Sequence, residues 1–242
     1  TNLSADLGTA RLVARSGRVL HEWGDTTSKP AVFGQLVDRP DSLGGGQVAL
    51  VGYGLQSQTS RLCAYDARHP DTLLWSTPFG GDGFVARVLP GSSPRGPWMM
   101  FQGAIVADVF PESPGDEIVA IHLNWQGDGA CIRVYDLAGT VLYEAWHPGH
   151  LYGAYWFSSA KQLALVGVNS EAHWSDRGGG GGYHWPVVVL AIKPEMGERR
   201  GWISTTSLKG DVQPIWYRCV LPSGAIDERG KLLPGSPGVP TG

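Results

Sequence analysis

The sequence predicts an all-β fold, and three observations support that prediction. Short segments rich in Val, Ile, Tyr and Trp recur along the chain, each bounded by Gly, Pro, Asp or Ser, and this is the composition of strands and turns. No stretch of about a dozen residues carries a helical i, i+3, i+4, i+7 apolar stripe free of Gly and Pro. The chain also resembles itself internally, as an array of supersecondary units does. Helix is therefore expected to be nearly absent.

The internal similarity sets the size of the unit. A shift of 70 residues (136 − 66) places GGQVALVGYG and RLCAYD on GDEIVAIHLN and IRVYD without a gap. A shift of 115 (162 − 47) places QVALVGYG on QLALVGVN, after which the third copy carries the insertion EAHWSDRGGGGGYHW before VVVLAIK. Each copy contains four short strands, which predicts the antiparallel four-stranded blade of a β-propeller. An ordinary β-sandwich is the alternative, but it does not predict gapless self-similarity.

Two motifs add a resemblance to known families. The pattern A-Y-D-x8-W at 64–75, and the related V-Y-D-x2-G-x6-W at 134–146, resemble the tryptophan-docking strands of quinoprotein-like propellers. The pattern at 108–119 is similar to the FG-GAP repeats of integrin-type propellers. Together the resemblances extend over about residues 10–205. They imply a blade whose fourth-strand tryptophan packs against the neighbouring blade.

The predicted boundaries leave the propeller incomplete. Residues 10–24 supply half a blade, and 33–80, 102–149 and 150–205 supply three full blades. Residues 206–242 hold a partial strand, IWYRCVL, followed by a Pro/Gly-rich tail. About three and a half blades is fewer than the four to eight of closed propellers, and unclosed blades expose sheet edges that invite pairing. We therefore expect another protein chain, or the rest of a longer polypeptide, as partner.

Composition excludes several classes of function. The net charge of −3 and the pI near 6.1 provide no basic field for nucleic acid. No window approaches 18 consecutive apolar residues, so no transmembrane segment is predicted. None of the three cysteines has metal-ligand spacing. The chain begins with Thr1 rather than Met, which is compatible with processing. Together with the family resemblance, this gives the expectation of an extracytoplasmic location, periplasmic, secreted or at the cell surface.

Blade topology predicts that three loops share one face. The loops 122–130 and 170–186 join the second and third strands of their blades, and 146–156 links two blades, so all three emerge on the same side. We call this predicted surface the loop face. His122 lies at its margin, and its candidate binding residues are Trp125, Asp128, His147, His150, Tyr152, Glu171, His173, Trp174, Asp176, His184 and Trp185.

The loop face has two interpretations. Aromatic rings and polar groups on loops of a rigid scaffold suit ligand or protein binding. Alternatively, the Trp and His side chains only cover the rim of the core. A transition-metal site would use His147-x-x-His150, or His173 with His184, but the PG between the first pair forms a turn and HExxH is absent.

We expect no firmly bound cofactor. The FG-GAP resemblance implies calcium as a weak candidate, with Asp108, Glu112 and Asp116 as its ligands. Calcium requires six or more oxygens, and Phe110 occupies what would be the second ligand position. A turn in which Asp side chains bond to their own backbone is therefore favoured.

Catalytic motifs are also lacking, since the chain has no GxSxG elbow, Walker loop or dinucleotide fingerprint. Glu144, Glu171 and Asp176 are the carboxylates that a glycoside hydrolase could recruit. The sequence thus favours a non-catalytic propeller module that mediates protein–protein interaction or serves as a structural subunit. A ligand- or sugar-binding propeller, or an enzyme, that uses the loop face is the alternative.

Overall fold

The computed structural model describes residues 1–6, 8–24, 31–54, 60–79, 98–124, 129–168, 187–198, 201–203, 216–221 and 224–226. These residues form four β-sheets, and the prediction of an all-β chain is confirmed for them. Within them the only helical element is a 3-10 turn at Asp41–Leu43. No helix in the described part has the length and apolar character needed to cross a membrane.

The sheets follow one another along the chain. Sheet A contains β1 (Asn2–Asp6), β2 (Thr9–Val13) and β3 (Val19–Trp23). Sheet B contains β4 (Ala31–Asp38), β5 (Gln47–Tyr53), β6 (Ser60–Asp66) and β7 (Leu73–Phe79). Sheet C begins with β8 (Trp98–Ala107), β9 (Glu117–Asn124), β10 (Gly129–Tyr135) and β11 (Val141–Pro148). Sheet D contains β12 (Leu151–Phe157), β13 (Gln162–Val168), β14 (Val187–Ile192), β16 (Trp216–Leu221) and β17 (Gly224–Ile226), and β15 (Gly201–Trp202) joins sheet C.

Pairing is antiparallel throughout these sheets except where β15 lies parallel to β11. Some strands alternate apolar and polar residues along their length. Others are apolar on both faces, because the inner sheets are covered on both sides. Three apolar clusters fill the spaces between sheets A and B, B and C, and C and D. The first strands β1, β4, β8 and β12 pack against one another in that order.

A β-bulge recurs at the same place in three sheets. It lies between Leu12 and Val13 in sheet A, between Ala64 and Tyr65 in sheet B, and at the corresponding step from Val134 in sheet C. Each bulge comes just before the turn to the outer strand, where it increases the local twist. The repeat seen in the sequence is therefore a repeat of backbone geometry as well.

Tryptophans connect neighbouring sheets, as the docking motif predicts for Trp75. Its indole N–H donates to the carbonyl of Leu137 in the next sheet, at 2.9 Å. Trp23 similarly donates to the Pro70 carbonyl in sheet B, at 3.2 Å. Trp146 also packs against a neighbouring sheet, but the register of β11 turns it back toward Phe79 of the preceding sheet B and not toward the following sheet D. Tyr143, three residues earlier, takes the place on the side facing sheet D.

Two predicted boundaries differ in the structure. The half blade expected at 10–24 is a three-stranded sheet, because residues 2–6 add β1. The third blade does not end at 205. Its outer strands are β16 and β17, whereas β15 pairs with β11 of the preceding sheet. The remainder of the predicted tail, 227–242, lies outside the described residues.

Candidate functional site

Sheet C places chemistry-bearing side chains at one of its ends. Gly129 at the start of β10 pairs with Asn124 of β9 and with Pro148 of β11. The β9–β10 loop and the link from β11 to β12 therefore emerge at the same end, as blade topology predicts. Side chains alternate between the two faces of the sheet, so residues of this end divide into one group facing sheet B and another facing sheet D.

The group facing sheet B forms a polar cluster with two residues of that sheet. We call it the B–C cluster. It comprises Ser60 and Phe79 from sheet B and His122, Arg133, Tyr135, Glu144 and Trp146 from sheet C. The other half of the same interface is apolar. Polar groups buried beside an apolar interface are costly unless each finds a partner.

His122 is fully satisfied inside this cluster. Its Nδ1 lies 2.7 Å from Ser60 Oγ and its Nε2 lies 3.1 Å from the Tyr135 hydroxyl, and the ring has no exposed surface. Burial lowers the pKa of His122 well below its ordinary value, and the nearby charge of Arg133 lowers it further. The imidazole is therefore neutral near pH 7, with one ring nitrogen donating and the other accepting.

Phe79 connects the histidine to a charged pair. Its ring stacks on His122 at 4.3 Å between centroids, and the guanidinium of Arg133 lies 4.4 Å from the ring centre. Arg133 Nε donates to Glu144 Oε2 at 2.7 Å, while Trp146 donates its indole N–H to the other oxygen, Oε1, at 3.0 Å. Both oxygens of this carboxylate are thus occupied.

This arrangement is built to hold two sheets together. Ser60 and His122 have the contact distance of a nucleophile and its base, but the far side of the imidazole meets a phenol and not a carboxylate. Ser60 and His122 are both inaccessible to solvent. Glu144, which the sequence suggested as a hydrolase carboxylate, is 5% exposed and neutralised by Arg133.

The other group includes the predicted binding residue His147, which faces sheet D. Its ring is fully buried. Burial lowers the pKa of His147 to about 4, the Gly149 backbone opposes this shift, and His150 reinforces it. His150 and Tyr152 follow in the link and at the start of β12, with their rings edge-on at 6.1 Å. His147 therefore belongs to the core, and Tyr152 lies at the surface.

Most of the predicted loop face cannot be located. Eight candidates lie outside the described residues: Trp125, Asp128, Glu171, His173, Trp174, Asp176, His184 and Trp185. Among the described residues, no group of three or more His, Cys, Asp or Glu side chains could hold a metal ion.

The weak calcium candidate is not assembled. Asp108, Glu112 and Asp116 are exposed and do not converge. The loop between β8 and β9 is held instead by the buried Glu117, whose Oε2 accepts the backbone N–H groups of Val109 and Phe110 at 2.9 and 3.0 Å.

A surface outside the predicted loop face lies on sheet D. One face of this sheet packs into the C–D core through Ala154, Trp156, Leu163 and Leu165. The opposite face, which we call the open face of sheet D, presents Tyr155, Phe157, Ala164, Val166, Val189 and Ala191, with the polar Gln162 opposite Phe157. Tyr155 is 60% exposed and Phe157 is 54% exposed.

The segment GAYWF carried the signal for this surface. Its apolar residues occupy both alternating sets of positions, so a strand there is apolar on both faces. The outward face of sheet A is more polar: Ser4, Arg11 and Glu22 are exposed, and the last two form an ion pair, beside Val13 and Val19 on the same face. The outward face of sheet A therefore carries a charged pair, whereas that of sheet D carries two exposed aromatic rings.

Comparison with known proteins identifies no family for this chain. No protein-family model and no curated protein matches this chain, so the FG-GAP and quinoprotein resemblances stay predictions. Among solved structures, a protein of unknown function from Bacteroides caccae is similar over 96% of this chain and 75% of its own, with a TM-score of 0.44 and 10% identity. A mutant of Synechocystis apocarotenoid oxygenase is similar over 80% of this chain and 46% of its own, with a TM-score of 0.38 and 10% identity.

Proposed function

We propose that this chain is a non-catalytic, β-propeller-type module of a larger protein assembly. In this proposal the open face of sheet D binds a further β-sheet, supplied by a partner chain or by the rest of a longer polypeptide. The open face of sheet D is the observation that carries the proposal. An exposed apolar sheet face with two aromatic rings marks an interaction site.

Blade-like packing of the sheets supports the propeller part of the proposal. Each sheet buries an apolar face against the next one in chain order, and the first strands lie next to one another. A terminal repeat needs a polar outer face to be soluble. The outward face of sheet A carries the ion pair of Arg11 and Glu22, whereas sheet D exposes two aromatic rings, as an internal repeat does where its neighbour packs.

The size of the effect is appreciable. Tyr155 and Phe157 are each more than half exposed, so covering both rings removes roughly 200 Å² of aromatic surface from water. At about 25 cal/mol per Å² this contributes about 5 kcal/mol to association.

The ligand-binding or enzymatic alternative has no comparable support, since the described members of the loop face include the buried His147 and the B–C cluster is closed. The extracytoplasmic location stays a proposal that depends on the family resemblance.

Light scattering with intact mass spectrometry tests the proposal. We expect the chain to self-associate through the open face of sheet D, and the double variant Tyr155→Lys/Phe157→Glu to become a 25.9 kDa monomer. Ser4→Glu, on the polar face of sheet A, is the matched control and should leave association unchanged. Association that persists in the double variant would overturn the proposal.

If the wild-type chain is monomeric, hydroxyl-radical footprinting of Tyr155 and Phe157 tests the proposal instead. If both rings react as freely as exposed aromatics, the face is available to a partner and the proposal holds. If both are protected in the monomer, the chain covers this face itself and the proposal fails.

A further inference from the structure

The outer edges of the four sheets differ in whether a further strand pairs with them. In sheets C and D a short extra strand follows the outer strand, β15 on β11 and β17 on β16. In the described part of sheets A and B, the outer strands β3 and β7 have no such addition. These two strands instead carry exposed aliphatic side chains: Val19, Leu20, Leu73 and Leu74.

Sheet C shows how such an edge is covered. The N–H of Gly197 donates to the carbonyl of Leu142 at 2.8 Å, and the N–H of Glu144 donates to the carbonyl of Glu198 at 3.0 Å. The N–H of Ile203 then donates to the carbonyl of Trp146 at 2.8 Å. The segment around β15 thus runs parallel to β11 and satisfies backbone groups that would otherwise point away from the sheet.

Strand β7 offers the equivalent groups. The 70-residue repeat aligns Cys63 with Arg133, and their partners across the ladder are Ser76 and Glu144. The same correspondence makes Leu74 the equivalent of Leu142, and Pro78 the equivalent of Trp146. Because the bulge falls at the same step in both sheets, the alternation of inward and outward groups is also the same.

Pro78 confirms which backbone groups of β7 point outward. Proline has no N–H, so in a strand paired on one side its nitrogen faces the unpaired side. Backbone groups alternate in direction along an edge strand, and the N–H of Ser76 therefore points outward as well, like that of its equivalent Glu144. Leu74 lies in the β-bulge, and its equivalent Leu142 presents its carbonyl outward. Pro78 retains its carbonyl, which is the group that Trp146 uses to accept from Ile203.

Among the described residues, no connection at this place resembles the one that covers sheet C. Strand β15 comes from the long connection between β14 and β16, residues 193–215. The corresponding connection in sheet C, between β10 and β11, is a tight turn in which Asp136 N–H donates to the Thr140 carbonyl at 2.9 Å. A turn of this length cannot reach the edge of sheet B.

We propose that β7 binds an extended peptide of a partner protein as an additional parallel strand of sheet B. The peptide pairs with the outward groups of Leu74 and Ser76 and with the carbonyl of Pro78, and places an apolar side chain beside the exposed Leu73. This is recognition by strand addition, in which backbone hydrogen bonds supply affinity and alternate side chains supply specificity. Pro78 limits the pairing to a short segment, which opposes unlimited edge-to-edge association.

This surface is separate from the open face of sheet D, and the two can be tested independently. The probe is a fluorescein-labelled synthetic peptide with the sequence of residues 197–206, GERRGWISTT, which contains the strand that covers β11. We expect saturable binding by fluorescence anisotropy, and slower hydrogen exchange at the amide of Ser76. Ser76→Pro removes one outward donor and should weaken binding at least tenfold, whereas Ser76→Ala keeps the donor and should bind normally.

Leu74→Lys is a second variant that leaves the backbone intact and should also weaken peptide binding about tenfold. If circular dichroism shows that Ser76→Pro does not fold, Leu74→Lys provides the test. Absence of binding, or equal binding by the Leu74→Lys variant, would overturn the inference. So would faster exchange at Gly201 and Ile203 without protection of β7, since the peptide would then be replacing β15. Loss of self-association in Tyr155→Lys/Phe157→Glu with intact peptide binding would show that the two proposals stand separately.

Discussion

Replacing Gly139 by alanine tests how strongly sheets B and C are coupled through Trp75. Gly139 lies in the β10–β11 turn with φ of +86°, and a Cβ there would come within 2.8 Å of the Trp75 ring. A non-glycine residue in this left-handed region costs about 1–2 kcal/mol. Overpacking against the docked indole adds about 1–3 kcal/mol. We therefore expect Gly139→Ala to destabilise the protein by about 3 kcal/mol.

Gly17 provides a matched control. It occupies the β2–β3 turn with φ of +83°, but a Cβ there would have no atom within 4 Å. Both glycines also donate their N–H to the carbonyl three residues earlier. Gly17→Ala should therefore show only the backbone cost, about 1 kcal/mol. For a chain of this length the melting temperature should fall by about 2–4 °C per kcal/mol.

Thermal and urea unfolding, followed by circular dichroism, measure the difference. In a Trp75→Ala background the contact no longer exists, so Gly139→Ala should then cost no more than Gly17→Ala. The double-mutant cycle isolates the interaction between the two positions. Equal destabilisation by Gly139→Ala and Gly17→Ala in the wild-type background would refute the role assigned to Trp75.

Two further predictions concern charge. The pKa of His147 in the folded protein is about 4, below the ordinary value near 6.5, so the neutral imidazole favours the folded state. The free energy of unfolding should therefore fall by up to about 3 kcal/mol as the pH drops from 6.5 toward 4. Urea midpoints at pH 7.5 and 4.5 should show a smaller loss of stability at the lower pH in His147→Leu than in the wild type, and identical losses would contradict this. Arg133→Ala leaves the carboxylate of Glu144 buried without its cation, so we expect a loss of about 3 kcal/mol in urea unfolding, against less than about 1 kcal/mol for Arg11→Ala in the exposed pair with Glu22. Equal losses in the two Arg variants would be inconsistent with a buried ion pair in the B–C cluster.

Much of the architecture could be predicted from local pattern. Turn residues, β-branched segments and the 70-residue similarity predicted four-stranded antiparallel units, because each is encoded within a few neighbouring residues. The docking of Trp75 followed from its motif as well. The position of Trp146 did not, since a single-residue difference in register reverses the face on which a side chain lies. The spacing from Asp136 to Trp146 is one residue longer than that from Asp66 to Trp75, but the turns between the strands also differ in length, so the spacing alone does not determine the face.

The candidate site depended on contacts that the sequence does not display. His122 is satisfied by Ser60, 62 positions away, and nothing in either segment indicates that they meet. Glu144 looked available because its partner Arg133 lies on another strand. The partnership of β15 with sheet C also required tertiary information, since two residues in a long connection have no strand signal of their own. Composition could indicate the two-sided apolar character of β12, but not which face remains open.

The path of the chain around β15 has a consequence for how the molecule opens. After β14 the polypeptide leaves sheet D, adds two residues to sheet C and returns to sheet D as β16. Removing the outer strands of either sheet therefore pulls on the other, so we expect the third and fourth sheets to open as a single cooperative unit. Sheets A and B share no strand in this way; they are joined by the backbone hydrogen bond from the Ala31 N–H to the Gly8 carbonyl and by side-chain contacts. Partial unfolding should begin at the amino-terminal half, so the half that is synthesised first should also open first.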